Sequence, residues 1–346
     1  MDKLLKELCD AHGGAGAESG VAAILEREFR KAGLKVHVDR FGNVIGKKET
    51  RGGKKTVMLG AHMDEISMMV RSVNKNGFIR FIKIGGIDDR ILLNQRVIIH
   101  TKKGKLVGVI GNKPPHIQTE EEMKKVVESK KMFIDLGAKN DKDAEKLGVM
   151  VGDYITFDMD SSDLANGLVT GRALDDRIGC FVLAEIARKA KSNANIILVG
   201  TTQEEVSTFG KGAMISAYVE EPDYFIAVDT TIAADHPEVG EEESPIKLNA
   251  GPGIVLIERR GVGNIADKKL VDWVVKTSDK KRIPYQLEAI EGGATDASRV
   301  NTVRSGIPSI AVCTPTRYIH SNVGVASQKD IDHTANLLIE ALKNVP

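Results

Sequence analysis

Histidine, aspartate and glutamate, which are residue types able to bind metal ions or transfer protons, follow four apolar runs typical of buried strands. They are His62 and Asp64 in VMLGAHMD, Glu204 and Glu205 in IILVGTTQEE, Asp229 in YFIAVDTT, and His320 shortly beyond SIAVCTP. A fifth segment, GRALDDR, places Asp175 and Asp176 at the start of a predicted helix, where the helix dipole favours anions. Because open α/β sheets bind ligands at the carboxyl ends of their strands, we expect these side chains to converge there.

Such a convergence of acids needs positive charge nearby. Two histidines and three carboxylates suit two divalent ions, one carboxylate bridging them, and such a pair activates water as a nucleophile near neutral pH. A further carboxylate that is not a ligand can accept the proton of that water as general base. One of Glu204 and Glu205 is therefore expected to bind metal and the other to transfer the proton.

Each of these segments also has a simpler interpretation. A histidine two residues from an aspartate is often a local hydrogen-bonded pair, paired aspartates often cap a helix, and paired glutamates often form a solvated face. His320 and Asp229 alone could be structural. All of them follow apolar strands in one predicted α/β domain, and that joint placement favours the metal site.

The pattern of elements predicts an α/β domain with an insertion. Residues 18–32 have helical spacing, 35–48 form a predicted hairpin and 56–65 a buried strand. From about residue 67, alternating strands joined by NKNG and KKGK turns predict an antiparallel barrel or sandwich. Long helices and apolar strands resume at about 166. We therefore predict a discontinuous α/β domain, 1–67 with 166–346, and an inserted β-rich domain, 68–165.

Composition excludes several classes of protein. The 346 residues are 42% hydrophobic and carry 49 basic and 48 acidic side chains, so bulk charge predicts neither nucleic acid nor an anionic membrane as a partner. Cys9, Cys180 and Cys313 are dispersed, which argues against disulfides and thiolate zinc sites. The charged N-terminus does not resemble a signal peptide, and no segment has a membrane span's apolar length. A cytoplasmic location is expected.

In order and spacing, the motifs resemble the tetrahedral (TET), or deblocking, aminopeptidases, which are dinuclear metallopeptidases. The resemblance covers essentially the whole chain through AHMDE, GRALDDR, TTQEEV, AVDTT, GGATDAS and PTRYIHS. It implies that His62 and Asp229 bind one metal, that Glu205 and His320 bind the other, and that Asp175, favoured over Asp176, bridges them. It also implies that Glu204 is the general base and that Asp64 orients the His62 imidazole.

The resemblance further implies a zinc-peptidase-like mixed sheet flanked by helices, with the inserted β domain mediating dimerisation. Dimers would build a hollow tetrahedral homododecamer that admits short peptides. The ions would be zinc, with cobalt or manganese as alternatives, and the reaction would remove N-terminal residues from oligopeptides. The sequence departs from the family pattern in the longer loop of EEVSTFGKGA (204–213), at Ala294 and in HGGAGAESG (12–20).

Two other functions fit part of the pattern. Paired carboxylates also serve glycosidases, although that chemistry gives the histidines no role. A non-catalytic scaffold could hold structural metals, although such sites usually coordinate every nearby acid and would leave no spare Glu204. The preferred N-terminal residue of a substrate is not set by these motifs.

Overall fold

A computed structural model describes residues 1–346 except 207–209, 238, 241 and 261. Chain contacts divide it into two units. The α/β unit comprises 1–64, 160–319 and 323–346, and the barrel unit comprises 65–159 and 320–322. The assignment of 1–67 with 166–346 and of 68–165 to a catalytic and a dimerisation domain stays a prediction. None of the helices formed by the described residues has the length and apolar content that a bilayer span requires.

The α/β unit contains helices and strands that alternate along the chain. Its helices are α1 (Lys3–Asp10), α2 (Ser19–Lys31), α5 (Leu174–Lys189), α6 (Lys211–Glu220), α7 (Lys268–Lys281), α8 (Ala297–Val300) and α9 (Gln328–Ala341). Its strands are β1 (Lys35–Val38), β2 (Val44–Lys48), β3 (Thr56–His62), β10 (Ser162–Asp163), β11 (Leu168–Gly171), β12 (Asn195–Thr201), β13 (Tyr224–Ile232), β14 (Gly253–Glu258), β15 (Asn264–Ile265), β16 (Gln286–Ile290), β17 (Ser309–Arg317) and β18 (Gly324–Ser327).

These strands form one mixed sheet in the order β1-β2-β12-β3-β13-β17-β18-β11-β10, with β14 on β17 and with β15 and β16 on β14. Its centre, β12-β3-β13-β17, is parallel, which confirms the mixed α/β fold. The side chains of β3 belong to two apolar clusters. Val57, Leu59 and Ala61 pack in one cluster with residues of α1, α2, α5, α7 and α9, and Met58 packs in the other with residues of α6 and α8. Helices therefore cover both faces of the sheet.

The barrel unit is a closed antiparallel barrel in the order β4-β5-β8-β7-β6-β9. Its strands are β4 (Ser67–Val73), β5 (Ile79–Ile84), β6 (Arg96–Thr101), β7 (Gly104–Ile110), β8 (Ile134–Asp135) and β9 (Tyr154–Phe157), and its helices are α3 (Glu120–Met123) and α4 (Asp141–Leu147). The interior is one apolar cluster that includes Val70, Phe81, Val97 and Ile155. Of the two architectures that the sequence left open, the barrel is confirmed.

Candidate metal centre

The carboxyl ends of the parallel strands carry the predicted site residues. His62 is the last residue of β3 and lies in register with Thr201, the last residue of β12. Asp229 lies within β13, the strand on the other side of β3. Since β12 has ended at Thr201, Glu204 and Glu205 belong to a turn beyond it and need not alternate between opposite faces of the sheet.

His62 is held between two acceptors. Its Nδ1 lies 3.1 Å from the main-chain oxygen of Asp64, which can only accept, so Nδ1 donates. Its Nε2 lies 3.2 Å from Oδ1 of Asp175 and 3.9 Å from Oδ1 of Asp229. The ligand atoms of these three residues all lie within 4.8 Å of one another and could hold one metal ion.

Asp64 contributes to this arrangement differently from the prediction. The hydrogen bond that orients His62 is made by the carbonyl of Asp64, whereas its carboxylate lies 3.7 Å from Nδ1. The fully buried carboxylate instead accepts the backbone N–H groups of Glu204 and Glu205, each at 3.0 Å. Asp64 therefore fixes both the imidazole and the turn that carries the two glutamates.

Asp175 and Asp176 have different surroundings. The carboxylate of Asp176 is completely buried and accepts the backbone N–H groups of Gly179, at 2.9 Å, and of His62, at 3.2 Å. Asp176 thus binds the backbone of the first part of α5 and of the end of β3. Asp175 is partly exposed, and its carboxylate oxygen faces His62. Carboxylate oxygens of Asp175 and Glu205 also lie within 4.8 Å of each other. The choice of Asp175 as the bridging residue stays a prediction.

His320 belongs to the barrel unit, in which its Nδ1 lies 3.0 Å from the carbonyl oxygen of Gly86. That carbonyl only accepts, so Nδ1 donates and Nε2 is the nitrogen suited to bind a metal ion.

The predicted loop 206–212, beside Glu205, falls partly on 207–209, which lie outside the described residues.

Crowding of acids in a dry site raises their pKa values. Burial raises the pKa of Asp64 to about 7, although the nearby His62 opposes this. Burial, followed by the charge of Asp175, raises the pKa of Asp229. Burial lowers the pKa of His62, but its hydrogen bond to Asp175 and the charges of Asp229 and Glu204 outweigh burial and raise it. A cation near Nε2 would relieve the same negative charge.

The sequence reasoning missed Arg299, which pairs with Glu204, and Asp296, which contacts Arg299. Arg299, only 4% exposed, forms an ion pair with the Glu204 carboxylate and lies 3.5 Å from Oδ1 of Asp296. Thr201 Oγ donates to the other oxygen of Asp296 at 2.8 Å. Asp296 belongs to GGATDAS, which the sequence analysis quoted without assigning a role, so the motif itself was the available signal.

The donor set fits a metal ion by its chemistry. Imidazole nitrogen and carboxylate oxygen are ligands for zinc and related divalent ions. Burial raises the pKa of Asp229 in this set, and a cation beside it would stabilise its ionised form. The Glu204 carboxylate differs from the carboxylates of this set in being paired with Arg299.

Comparison with known proteins agrees with this geometry. Residues 42–337 match the model of the M42 glutamyl aminopeptidases. The lysyl aminopeptidase of Pyrococcus furiosus is 30% identical over 99% of this chain and 97% of its own length.

Solved structures with the same fold include an aminopeptidase from the archaeon Desulfurococcus kamchatkensis, with a TM-score of 0.94 and 37% identity, covering 99% of this chain and 94% of that one. The TET1 peptidase of Pyrococcus horikoshii has a TM-score of 0.87 and 30% identity, covering 99% of both chains. The chain belongs to the M42 glutamyl aminopeptidase family and is an aminopeptidase.

Proposed function

We propose that this aminopeptidase uses two divalent metal ions to remove N-terminal residues from oligopeptides, with Glu204 as general base. The observation that carries the proposal is the convergence of His62, Asp175 and Asp229 beside the Glu204–Glu205 turn. Ligand atoms and a separately neutralised carboxylate occur together, and a hydrolase that activates water needs both.

In this proposal, His62, Asp175 and Asp229 hold one ion, and Asp175, Glu205 and His320 hold the other. Zinc is the expected ion, with cobalt or manganese as alternatives, because nitrogen and oxygen ligands do not by themselves select among them. When bound, the ions would lower the pKa of a water molecule and polarise the scissile carbonyl. The Nδ1 contacts of His62 and His320 with main-chain carbonyls support coordination through Nε2.

Glu204 is proposed to transfer the proton. Its carboxylate accepts a proton from the attacking water and returns it to the leaving amine. The ion pair with Arg299 supports this role, because it orients the carboxylate. Asp64 acts through geometry, since it fixes the His62 ring and the backbone of Glu204 at the same time.

Replacing Glu204 by Gln tests the proposal. We expect kcat on aminoacyl-nitroanilides to fall about 100-fold or more, because the amide cannot accept the proton. The metal content, measured by elemental analysis, should remain that of the wild type. Wild-type kinetics in this variant would refute the role of Glu204.

Glu288 offers a matched control for that experiment. It is a glutamate of the same sheet, on β16, and is 4% exposed, but its carboxylate accepts a hydrogen bond from Thr231 rather than facing His62. Glu288→Gln makes the same chemical change outside the site. We expect its kcat and metal content to match the wild type.

Assembly and substrate size form a second part of the proposal. The Pyrococcus horikoshii TET1 peptidase can assemble into a tetrahedron or a large octahedral shell. By that likeness we propose that this chain forms a homododecamer of dimers joined through the barrel unit and acts on short peptides. Light scattering after gel filtration should give a mass about twelve times that of the chain, and a monomer would contradict it.

Two further aspects of the proposal concern location and specificity. Cys9, Cys180 and Cys313 are buried free thiols, which supports a cytoplasmic location. The family is named for glutamyl substrates and the Pyrococcus furiosus relative for lysyl substrates, so these names do not select one N-terminal residue. A panel of aminoacyl-nitroanilides that includes acidic, basic and apolar residues would identify it.

A further inference from the structure

Four consecutive backbone amides of the turn after β12 all donate to buried side chains. The N–H of Thr202 donates to Oδ1 of Asn43 at 3.0 Å, and that of Gln203 to Oε1 of Glu18, also at 3.0 Å. The next two amides, of Glu204 and Glu205, donate to Asp64. The turn that carries the two glutamates is therefore held through its main chain, residue by residue.

This turn needs such support because of its conformation. Gln203 has φ +58°, in the left-handed region that residues with a side chain rarely adopt. The reversal at Gln203 allows the two following amides to reach one carboxylate. If the Gln203 amide lost its acceptor, the turn would relax towards a commoner conformation and would carry Glu204 and Glu205 with it.

Glu18 reaches the turn from the N-terminal part of the chain. The same oxygen, Oε1, also accepts the N–H of Gly16 at 2.8 Å, and the residue is 6% exposed. The segment before it is tied to the start of α5 by buried Arg177, whose Nη1 donates to the carbonyls of Leu8 and Ala11. Residues 8–18 thus connect the Asp175–Asp176 segment to the turn at 203–205.

We propose that Glu18 is a positioning residue of the peptidase reaction, and that it holds the 203–205 turn so that Glu204 and Glu205 face the substrate and the metal site. This inference rests on the proposed function of those two glutamates. Glu18 acts through the main chain of Gln203. It is a cleaner probe than Asp64, because Asp64 also contacts the His62 imidazole.

The direct test replaces Glu18 by Ala and by Asp. Ala removes the acceptor, and Asp withdraws it by one methylene while keeping the charge. We expect both variants to lose about 10- to 100-fold in kcat, because a displacement of about 1 Å at the reacting groups has effects of that size. KM should stay within about threefold of the wild type, since the displaced groups act in the transition state.

Glu18→Gln supplies the rescue. An amide oxygen can accept from Gly16 and Gln203 as the carboxylate does, so we expect this variant to recover kcat to within about threefold of the wild type. A residue needed only for its charge would not be rescued by Gln, and that outcome would overturn the proposed role of the hydrogen bonds.

Asp330 provides the control for general loss of structure. It lies on α9, is fully buried, and accepts the backbone N–H groups of Asn249 and Gly251, at 2.6 and 2.9 Å. Asp330→Ala removes the same kind of support from a different turn. We expect its thermal midpoint to fall while kcat per folded protein stays at the wild-type value. Equal losses of kcat in the Asp330 and Glu18 variants would overturn the proposal.

Hydrogen exchange of the Glu204 and Glu205 amides gives a readout that does not depend on activity. In Glu18→Ala these amides should exchange faster than in the wild type, and in Glu18→Gln they should not. If the wild-type protein showed no peptidase activity, the proposed function would fail. The exchange rates would still test whether Glu18 holds the 203–205 turn. If Glu204→Gln were inactive and Glu18→Ala fully active with unchanged exchange, only the role of Glu18 would fail.

Discussion

Two groups of buried acids in the α/β unit differ in what faces them. The strand-end cluster consists of His62, Asp64, Asp175, Glu204, Glu205 and Asp229. The glutamate pair consists of Glu258, on β14, and Glu288, on the neighbouring β16. The strand-end cluster includes an imidazole and is paired with Arg299, whereas the glutamate pair is held by Thr231 and by the backbone N–H of Thr295.

Both groups contain acids with raised pKa values, so a raised pKa alone does not identify a functional acid. Burial raises the pKa of Asp64 to about 7 and, against the hydrogen bond from Thr231, that of Glu288 also to about 7. What distinguishes the strand-end cluster is convergence, because ligand atoms from three chain segments lie within 4.8 Å. The glutamate pair can avoid the cost of a buried charge by keeping a proton. The strand-end cluster can offset that cost by binding a cation.

Among the substitutions that test the difference between the two groups, Asp229→Asn in the strand-end cluster should have the largest effect. We expect activity to fall by more than about 100-fold, beyond the usual loss for a residue that only supports a ligand. Zinc should also raise the thermal midpoint of the variant less than that of the wild type, because one ligand is missing. In chelator, the variant should be at least as stable as the wild type at pH 8, since a buried acid with a raised pKa has been neutralised. Full activity with unchanged zinc stabilisation would remove Asp229 from the site.

Arg299→Met should have the next largest effect. The change leaves Glu204 and Asp296 buried without their guanidinium partner, and such loss costs about 3–5 kcal/mol of unfolding free energy. Urea denaturation measures it. Adding Glu204→Gln to the Arg299 variant should recover part of the loss, because one unpaired charge is removed. An Arg299 variant as stable as the wild type would show that the ion pair is not formed in solution.

Glu288→Gln should stabilise the protein in a pH-dependent way. The folded pKa, about 7, exceeds the ordinary value of 4.5, so the folded protein binds this proton more tightly than the unfolded chain. Its contribution is complete below pH 4.5 and is lost as the pH rises through 7. At pH 8 we therefore expect the variant to exceed the wild type by about 3 kcal/mol or less, and at pH 4.5 to match it. Thermal unfolding at both pH values measures the difference.

Thr231→Val should have the smallest effect. The Thr231 hydroxyl donates to both oxygens of Glu288 at 2.7 Å, and removing it should cost about 1–2 kcal/mol. Because this hydrogen bond lowers the pKa of Glu288, the cost should be greater at pH 8 than at pH 5. Activity should not change. A loss of activity equal to that of the Asp229 variant would mean that the glutamate pair is not separate from the strand-end cluster.

The sequence allowed the sheet and the ends of its strands to be predicted because buried parallel strands are long apolar runs. The end of β3 at His62 and the end of β12 before the turn at 203–205 could both be located from such runs. Supports of the turn could not be predicted in the same way. Glu18 opens the predicted helix 18–32 but is not one of its apolar positions, and Arg299 lies in a helix of four residues, so apolar periodicity identifies neither. Both contacts join residues far apart in the chain, and no local signal reports them.

The six strands of the barrel unit form a closed ring, but β8 is short and pairs with β5 only at Ile79 and with β7 only at Val109 and Ile110. The rest of β5 and of β7 therefore faces this seam as strand edge, which another chain could pair with. The unit also offers outward apolar side chains to a second copy, such as Val107 and Ile82, which are 58% and 45% exposed. Two copies joined through these side chains would be separated by a charge introduced at Val107, whereas two copies joined strand to strand would be separated by a peptide that pairs with β5 or β7.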